Sequence, residues 1–129
     1  MQIAEIARQT GLTPDTLRYY ERIGLMAPPL RDAGGRRVYQ PRDLDWLRFL
    51  IRLRQTGMPI AEMLDYARLR AAGEVTAQAR CDLLARHRAA LAARIDGLTD
   101  CLSVLDQKIA TYQAMISEKD ATHDDRDPT

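Results

Sequence analysis

Residues 13–25 read Thr13-Pro14-Asp15-Thr16-Leu17-Arg18-Tyr19-Tyr20-Glu21-Arg22-Ile23-Gly24-Leu25, and their reading constrains everything around them. Thr13 suits an N-cap, because its hydroxyl can accept from a free backbone N–H of the first turn, and Pro14 pre-sets φ at the first helical position. A helix is expected from Pro14 to Arg22, stopped by Gly24. Leu17 turns inward and Tyr20 is a second candidate for burial. Thr16, Arg18, Tyr19 and Arg22 lie on faces that packing does not need. Upstream, Ile3, Ile6 and Ala7 recur at helical spacing and Gly11 ends that run. Two short helices joined by a glycine-containing turn make a helix-turn-helix over residues 3–22.

Downstream, Pro28-Pro29 excludes a helix interior, and Gly34-Gly35 lies between Leu30-Arg31 and Val38-Tyr39. A glycine pair between short β-capable stretches predicts a hairpin, here a small wing over residues 29–40. Arg31, Arg36 and Arg37 surround the turn and Tyr39 follows it. Three arginines on so small a hairpin repel one another unless an anion lies opposite, and phosphates beside a DNA groove would supply it. In the helix before the wing, arginine suits a guanine edge in the major groove, whereas tyrosine and threonine hydroxyls suit phosphate oxygens. Taken alone, that helix face would look the same if it were merely solvated.

Pro41 opens a third helix with Leu44, Leu47, Phe49, Leu50 and Leu53 for its buried face and Gly57 at its end. Pro59 starts a fourth, using Ile60, Met63, Leu64 and Ala67 and closing near Gly73. Gln40 and Met58 are weak N-caps for these two.

From about Thr76 the pattern changes, with no proline and one glycine as far as Ser117. Leu84, Leu91, Ile95, Leu98, Leu102, Leu105, Ile109, Tyr112 and Ile116 include an unbroken 4-3-4-3 alternation from Leu91 onward. That is a heptad a/d seam, with Arg88 as a polar intrusion. At 1.5 Å per residue, Leu84 to Ile116 spans about 48 Å, too long for a small domain to cover, so the seam needs a partner helix and the simplest is its own copy. The polar, acidic, proline-ended stretch 118–129 reads as a disordered tail.

Net charge is only +1, but it is unevenly placed. Residues 1–72 carry twelve arginines, no lysine and eight acids, whereas residues 73–129 carry seven basic residues and ten acids. Arginine's planar fork suits phosphate and guanine better than an ammonium does. No signal peptide and no apolar run of membrane-spanning length is visible. Cys81 and Cys101 have no CxxC or Cys/His ligand spacing. A cytoplasmic location with reduced thiols, no metal and no cofactor is therefore expected.

Three segments together resemble the MerR family of transcriptional regulators: Ile3 to Gly11, Leu17-Arg18-Tyr19-Tyr20-Glu21-Arg22-Ile23-Gly24-Leu25, and Gly35-Arg36-Arg37-Val38-Tyr39. The likeness continues through Leu44 to Leu50, Leu53 to Met58 and the long helix, and leaves only the tail outside. Arg36 departs from the family pattern, which usually has tyrosine, exchanging a stacking contact for a charge contact. The resemblance implies a mainly α fold, with a winged helix-turn-helix domain over residues 1–72. An antiparallel coiled-coil dimerisation helix over residues 76–117 then follows. It also implies a homodimer on a promoter pseudo-palindrome in double-stranded DNA, which acts on RNA polymerase indirectly by distorting the spacer. Carried over by position, Arg18 touches bases, with Tyr19, Tyr20, Arg31, Arg36, Arg37 and Tyr39 on the backbone and Thr16 beside them.

Metal-sensing members carry two cysteines after the dimerisation helix, whereas residues 112–129 here hold none and offer only His123. Cluster-binding members need four cysteines, and drug-binding members append a large domain. The chain is more similar to the short members, some of which answer electrophiles through a thiol in the DNA-binding half, where this chain has none. If a thiol serves here, Cys101 is the first choice and Cys81 the second. Cys101 falls at a g position, as do Arg94 and His87, and a nearby cation favours the thiolate. Most free cysteines are inert space-fillers, and that reading is favoured for both. No Ser/His/Asp order, phosphate loop or metal cluster points to an enzyme. A small architectural DNA protein would share the helix-turn-helix and wing but needs no long coil.

Overall fold

The structure, a computed structural model, describes the backbone of residues 1–126 and the side chains of residues 1–121. Its elements are α1 (Ile3–Thr10), α2 (Pro14–Arg22), β1 (Leu30–Arg31), β2 (Arg37–Val38), α3 (Pro41–Gln55), α4 (Ile60–Ala71), a 3-10 turn (Glu74–Thr76) and α5 (Ala77–Arg126). The strands form one antiparallel hairpin that pairs Leu30 with Val38 and Arg31 with Arg37.

The expected helix-turn-helix is present with its expected ends. Gly11 closes α1 in the left-handed region at φ 75°, and the Thr13 hydroxyl accepts from Thr16 N–H at the start of α2. The cap of α3 is better than its sequence suggested. Asp43 Oδ2 accepts from Gln40 N–H at 2.8 Å, so a carboxylate one turn in supplies the bond that a weak N-cap residue lacks.

The chain divides into two compact units, one ending at His87 and the other beginning at Arg88. The first is built on a core of Ile6, Leu17, Leu25, Tyr39, Leu47, Leu50, Met58 and Met63, all nearly inaccessible to water. Trp46 joins this core, its indole N–H donating to Leu25 O at 3.0 Å, whereas Phe49, expected on the buried face, is only half-buried. The unit runs past the expected boundary at Ala72 because the first turns of α5 belong to it. Leu83 is buried in its core, Leu84 packs against that core, and His87 Nε2 lies 2.6 Å from the Thr56 hydroxyl. Leu84, expected at the head of the dimerisation seam, is thus partly buried against its own unit.

In the second unit α5 continues alone. Ile95, Leu98, Leu102, Leu105, Ile109, Tyr112 and Ile116 are each 53–63% exposed, while Leu91 is half-buried. The helix does not stop at Ser117 but runs through Arg126, so residues 118–126 are helical where a disordered tail was expected. Propagation adds one hydrogen bond for each residue fixed, and no glycine or proline interrupts this stretch before Pro128. Residues 127–129 of the expected tail lie outside the described residues.

Candidate nucleic-acid interface

Helix α2 presents a polar ridge because Leu17 and Tyr20 anchor its opposite side in the core. Arg18 and Tyr19 are exposed and Thr16 is half-exposed. The Thr13 hydroxyl donates to Thr16 Oγ1 at 2.9 Å, and Arg18 pairs with Asp15 at 3.1 Å on the helix surface. An exposed i,i+3 pair of this kind is weak and exchanges readily for a better anion. The Arg22 guanidinium lies 5.4 Å from the centre of the Tyr19 ring, which puts a cation over an exposed aromatic.

The wing turn is organised by a residue that the sequence reading passed over. Asp32 Oδ1 accepts from Gly34 N–H and from Arg36 N–H, each at 2.9 Å, closing an Asx-type turn. Of the glycine pair only Gly35 has positive φ, at 79°. The sequence signal that could have flagged Asp32 is its place at the start of a glycine turn, where a carboxylate satisfies local N–H groups.

The three wing arginines are not equivalent. Arg36 is exposed and makes no ion pair among the described residues. Arg31 folds back so that Nη1 donates to Gly35 O at 2.6 Å. Arg37 is largely covered, and its Nε donates to Glu21 Oε2 at 2.7 Å. An internal counter-ion therefore relieves part of the repulsion that called for an external anion.

One of the expected backbone contacts needs correction. Tyr39 is 1% exposed, and its hydroxyl is buried without a hydrogen-bond partner, so the ring fills the core instead of meeting solvent. Burial pushes its phenol above the usual range, with the nearby Arg37 charge opposing and Glu21 adding. Tyr39 also ties down the chain, its N–H donating to Met1 O at 2.6 Å and its carbonyl accepting from Met1 N at 2.9 Å. Tyr20 is likewise a core residue, with its ring buried beside Tyr19. Helical periodicity had marked it as a candidate for burial; nothing in the local sequence did so for Tyr39, which follows a strand only two residues long.

Elsewhere, Cys81 and Cys101 are free and exposed. No group of three or more metal-ligating side chains occurs among the described residues, and the side chain of His123 lies outside them. No helix among the described residues is long and apolar enough to cross a membrane.

With this geometry in place, the likeness to known proteins can be located. The profile described as MerR HTH family regulatory protein matches residues 1–68, which hold α1, α2, the wing, α3 and most of α4. The chain belongs to the MerR family. A second profile, MerR DNA binding, matches residues 44–107. Among relatives, the chain is similar to the HTH-type transcriptional regulator AdhR of Bacillus subtilis, 42% identical over 68% of this chain. That match spans 63% of the relative, just under two thirds of its length. An uncharacterised HTH-type regulator of Pseudomonas aeruginosa is 36% identical over 88% of this chain and 86% of its own. Among solved structures, a MerR family regulator from Listeria monocytogenes is similar with a TM-score of 0.92 and 37% identity, covering 98% of this chain and 96% of that one. HiNmlR, described as a MerR family regulator lacking the sensor domain and bound to promoter DNA, has a TM-score of 0.78 and 31% identity. The likeness covers 87% of this chain and 89% of that one.

Proposed function

We propose that this chain is a sequence-specific DNA-binding transcriptional regulator that sits as a homodimer on a promoter pseudo-palindrome. The observation that carries the reading is its likeness to a family member bound to promoter DNA, over nearly the whole chain. Helix α2 enters the major groove with Arg18 toward the base edges, and Thr16, Tyr19, Arg31, Arg36 and Arg37 engage phosphates. Two copies pair antiparallel through the stripe of α5 from Leu91 through Ile116, which is exposed from Ile95 onward. That stripe supports the reading because residues more than half exposed on one helical line cost free energy in water unless another apolar surface covers them. The dimer acts in the cytoplasm, in response to an effector, by distorting the promoter spacer and so serving RNA polymerase indirectly. Cys101, and after it Cys81, is the thiol an electrophilic effector would reach, both being exposed.

Footprinting across the promoters nearest its gene tests the proposal. One protected pseudo-palindrome within a promoter spacer, with enhanced cleavage at its centre, is expected. Uniform coating without a preferred site would instead indicate an architectural DNA protein.

A further inference from the structure

Among the described residues, one ion pair differs in kind from three others. The pairs Arg8–Glu5, Arg18–Asp15 and Arg68–Asp65 are each i,i+3 within a single helix. Arg37–Glu21 instead joins β2 of the wing to the last turn of α2, across sixteen residues of chain. Its side chains are 25% and 16% exposed, so water screens it less than it screens the surface pairs. The contact is made through Arg37 Nε, and the two terminal nitrogens carry no further hydrogen bond among the described residues.

We propose that Glu21 is a positioning residue for DNA recognition: it orients the Arg37 guanidinium and fixes the wing against the recognition helix. The proposal rests on the DNA-binding reading above. A guanidinium is planar and its five donors form a rigid fork, so holding Nε sets the plane in which the other donors point. Those donors are then directed at a phosphate on the groove flank. The wing needs such a strut because its ladder contains only two residue pairs, and an isolated two-stranded hairpin is marginal in water. Tyr39 anchors the wing's exit in the core, and Arg37–Glu21 sets its angle to α2. Phosphate contacts fix register without reading bases, so an error in that angle keeps the recognition helix and the wing from engaging together. The sign of the charge argues against a bystander role as well. A carboxylate near DNA repels phosphate, so Glu21 lowers affinity for every duplex unless it organises something that raises affinity for one.

The test uses a duplex enriched from a random pool by the wild-type protein, an unrelated duplex of equal length, and a salt titration of each. Glu21→Ala is expected to weaken binding to the enriched duplex about tenfold while leaving the unrelated duplex unchanged or bound more tightly. Glu21→Gln restores most of the loss, because its amide oxygen still accepts from Nε–H. Arg37→Ala weakens both duplexes and flattens the salt dependence, and adding Glu21→Ala to it costs nothing more on the enriched duplex. Arg37→Lys keeps the charge but loses the fork, so it reproduces the Glu21→Ala pattern and serves if Glu21→Ala unfolds. Glu21→Ala binding the enriched duplex as tightly as wild type would overturn the proposal. So would equal losses on both duplexes in a folded dimer, fully additive losses in the double variant, or unchanged discrimination in Arg37→Lys. If the wild-type protein enriches no sequence, the DNA-binding reading itself has failed, which is a separate result.

Discussion

The two units treat the same kind of residue in opposite ways. In the first, Ile6, Leu17, Leu47, Leu50, Met58 and Met63 disappear from water among neighbours of their own chain. In the second, leucines and isoleucines at equally regular spacing leave more than half their surface exposed. Both patterns are helical and both are apolar. The difference lies in what each has to pack on: several short helices and a wing can surround a common core, whereas one long helix has nothing of its own to fold back against. The first unit's stability is therefore internal, and under the proposed dimer that of the second comes from the assembly.

Substitution at the seam should break this contrast with the largest effect. Replacing both Leu98 and Leu102 by aspartate places four charges in a symmetric coil and removes apolar contacts worth ~1.5–3 kcal/mol for each leucine. The variant should sediment as a monomer and lose specific DNA affinity while its amide proton exchange in residues 1–87 stays protected. A dimer under these conditions would mean that the seam is misassigned.

Truncating Leu83 to alanine should act on the other side of the contrast, because this α5 residue is buried in the core of the first unit. A cost of about 2–5 kcal/mol is expected in chemical denaturation. The loss should not depend on protein concentration. Ile95→Ala, by contrast, should destabilise mainly by promoting dissociation, so that its melting temperature rises with concentration.

Within the proposed DNA-facing surface the contrast sharpens between α2 and the wing tip. Arg18→Ala should cost roughly 1–3 kcal/mol per half-site and relax sequence preference in a binding selection. Arg36→Ala should weaken all duplexes alike and reduce the salt slope by about one. Indistinguishable behaviour of the two would undo the division between base and phosphate contacts.

The smallest effect is expected at Tyr39. Its hydroxyl is buried without a partner, so Tyr39→Phe removes a desolvated group while keeping the ring. Thermal unfolding should show stability unchanged or raised by up to ~1–2 kcal/mol, with DNA affinity unaltered. A marked fall in DNA affinity would return the Tyr39 hydroxyl to the interface.

Much of this molecule follows from sequence alone wherever the deciding interaction is local. Thr13-Pro14 and Gly11 set the ends of α1 and α2 through bonds that span a few residues, and the 4-3-4-3 spacing marks the stripe of α5 from Leu91 onward. The ridge of Thr16, Arg18 and Tyr19 followed from the same periodicity, once Leu17 fixed which side faces inward. What sequence left open depends on residues distant along the chain. Tyr39 looked like a wing residue facing DNA until the core closed over it, and Arg37 looked like a free cation until Glu21 met it. Leu84 fits the heptad arithmetic, yet it also packs against the first unit, because α5 begins on that unit's core. Spacing specifies which side chains share a face, but whether that face meets a core, a counter-ion or water is decided only when the elements come together.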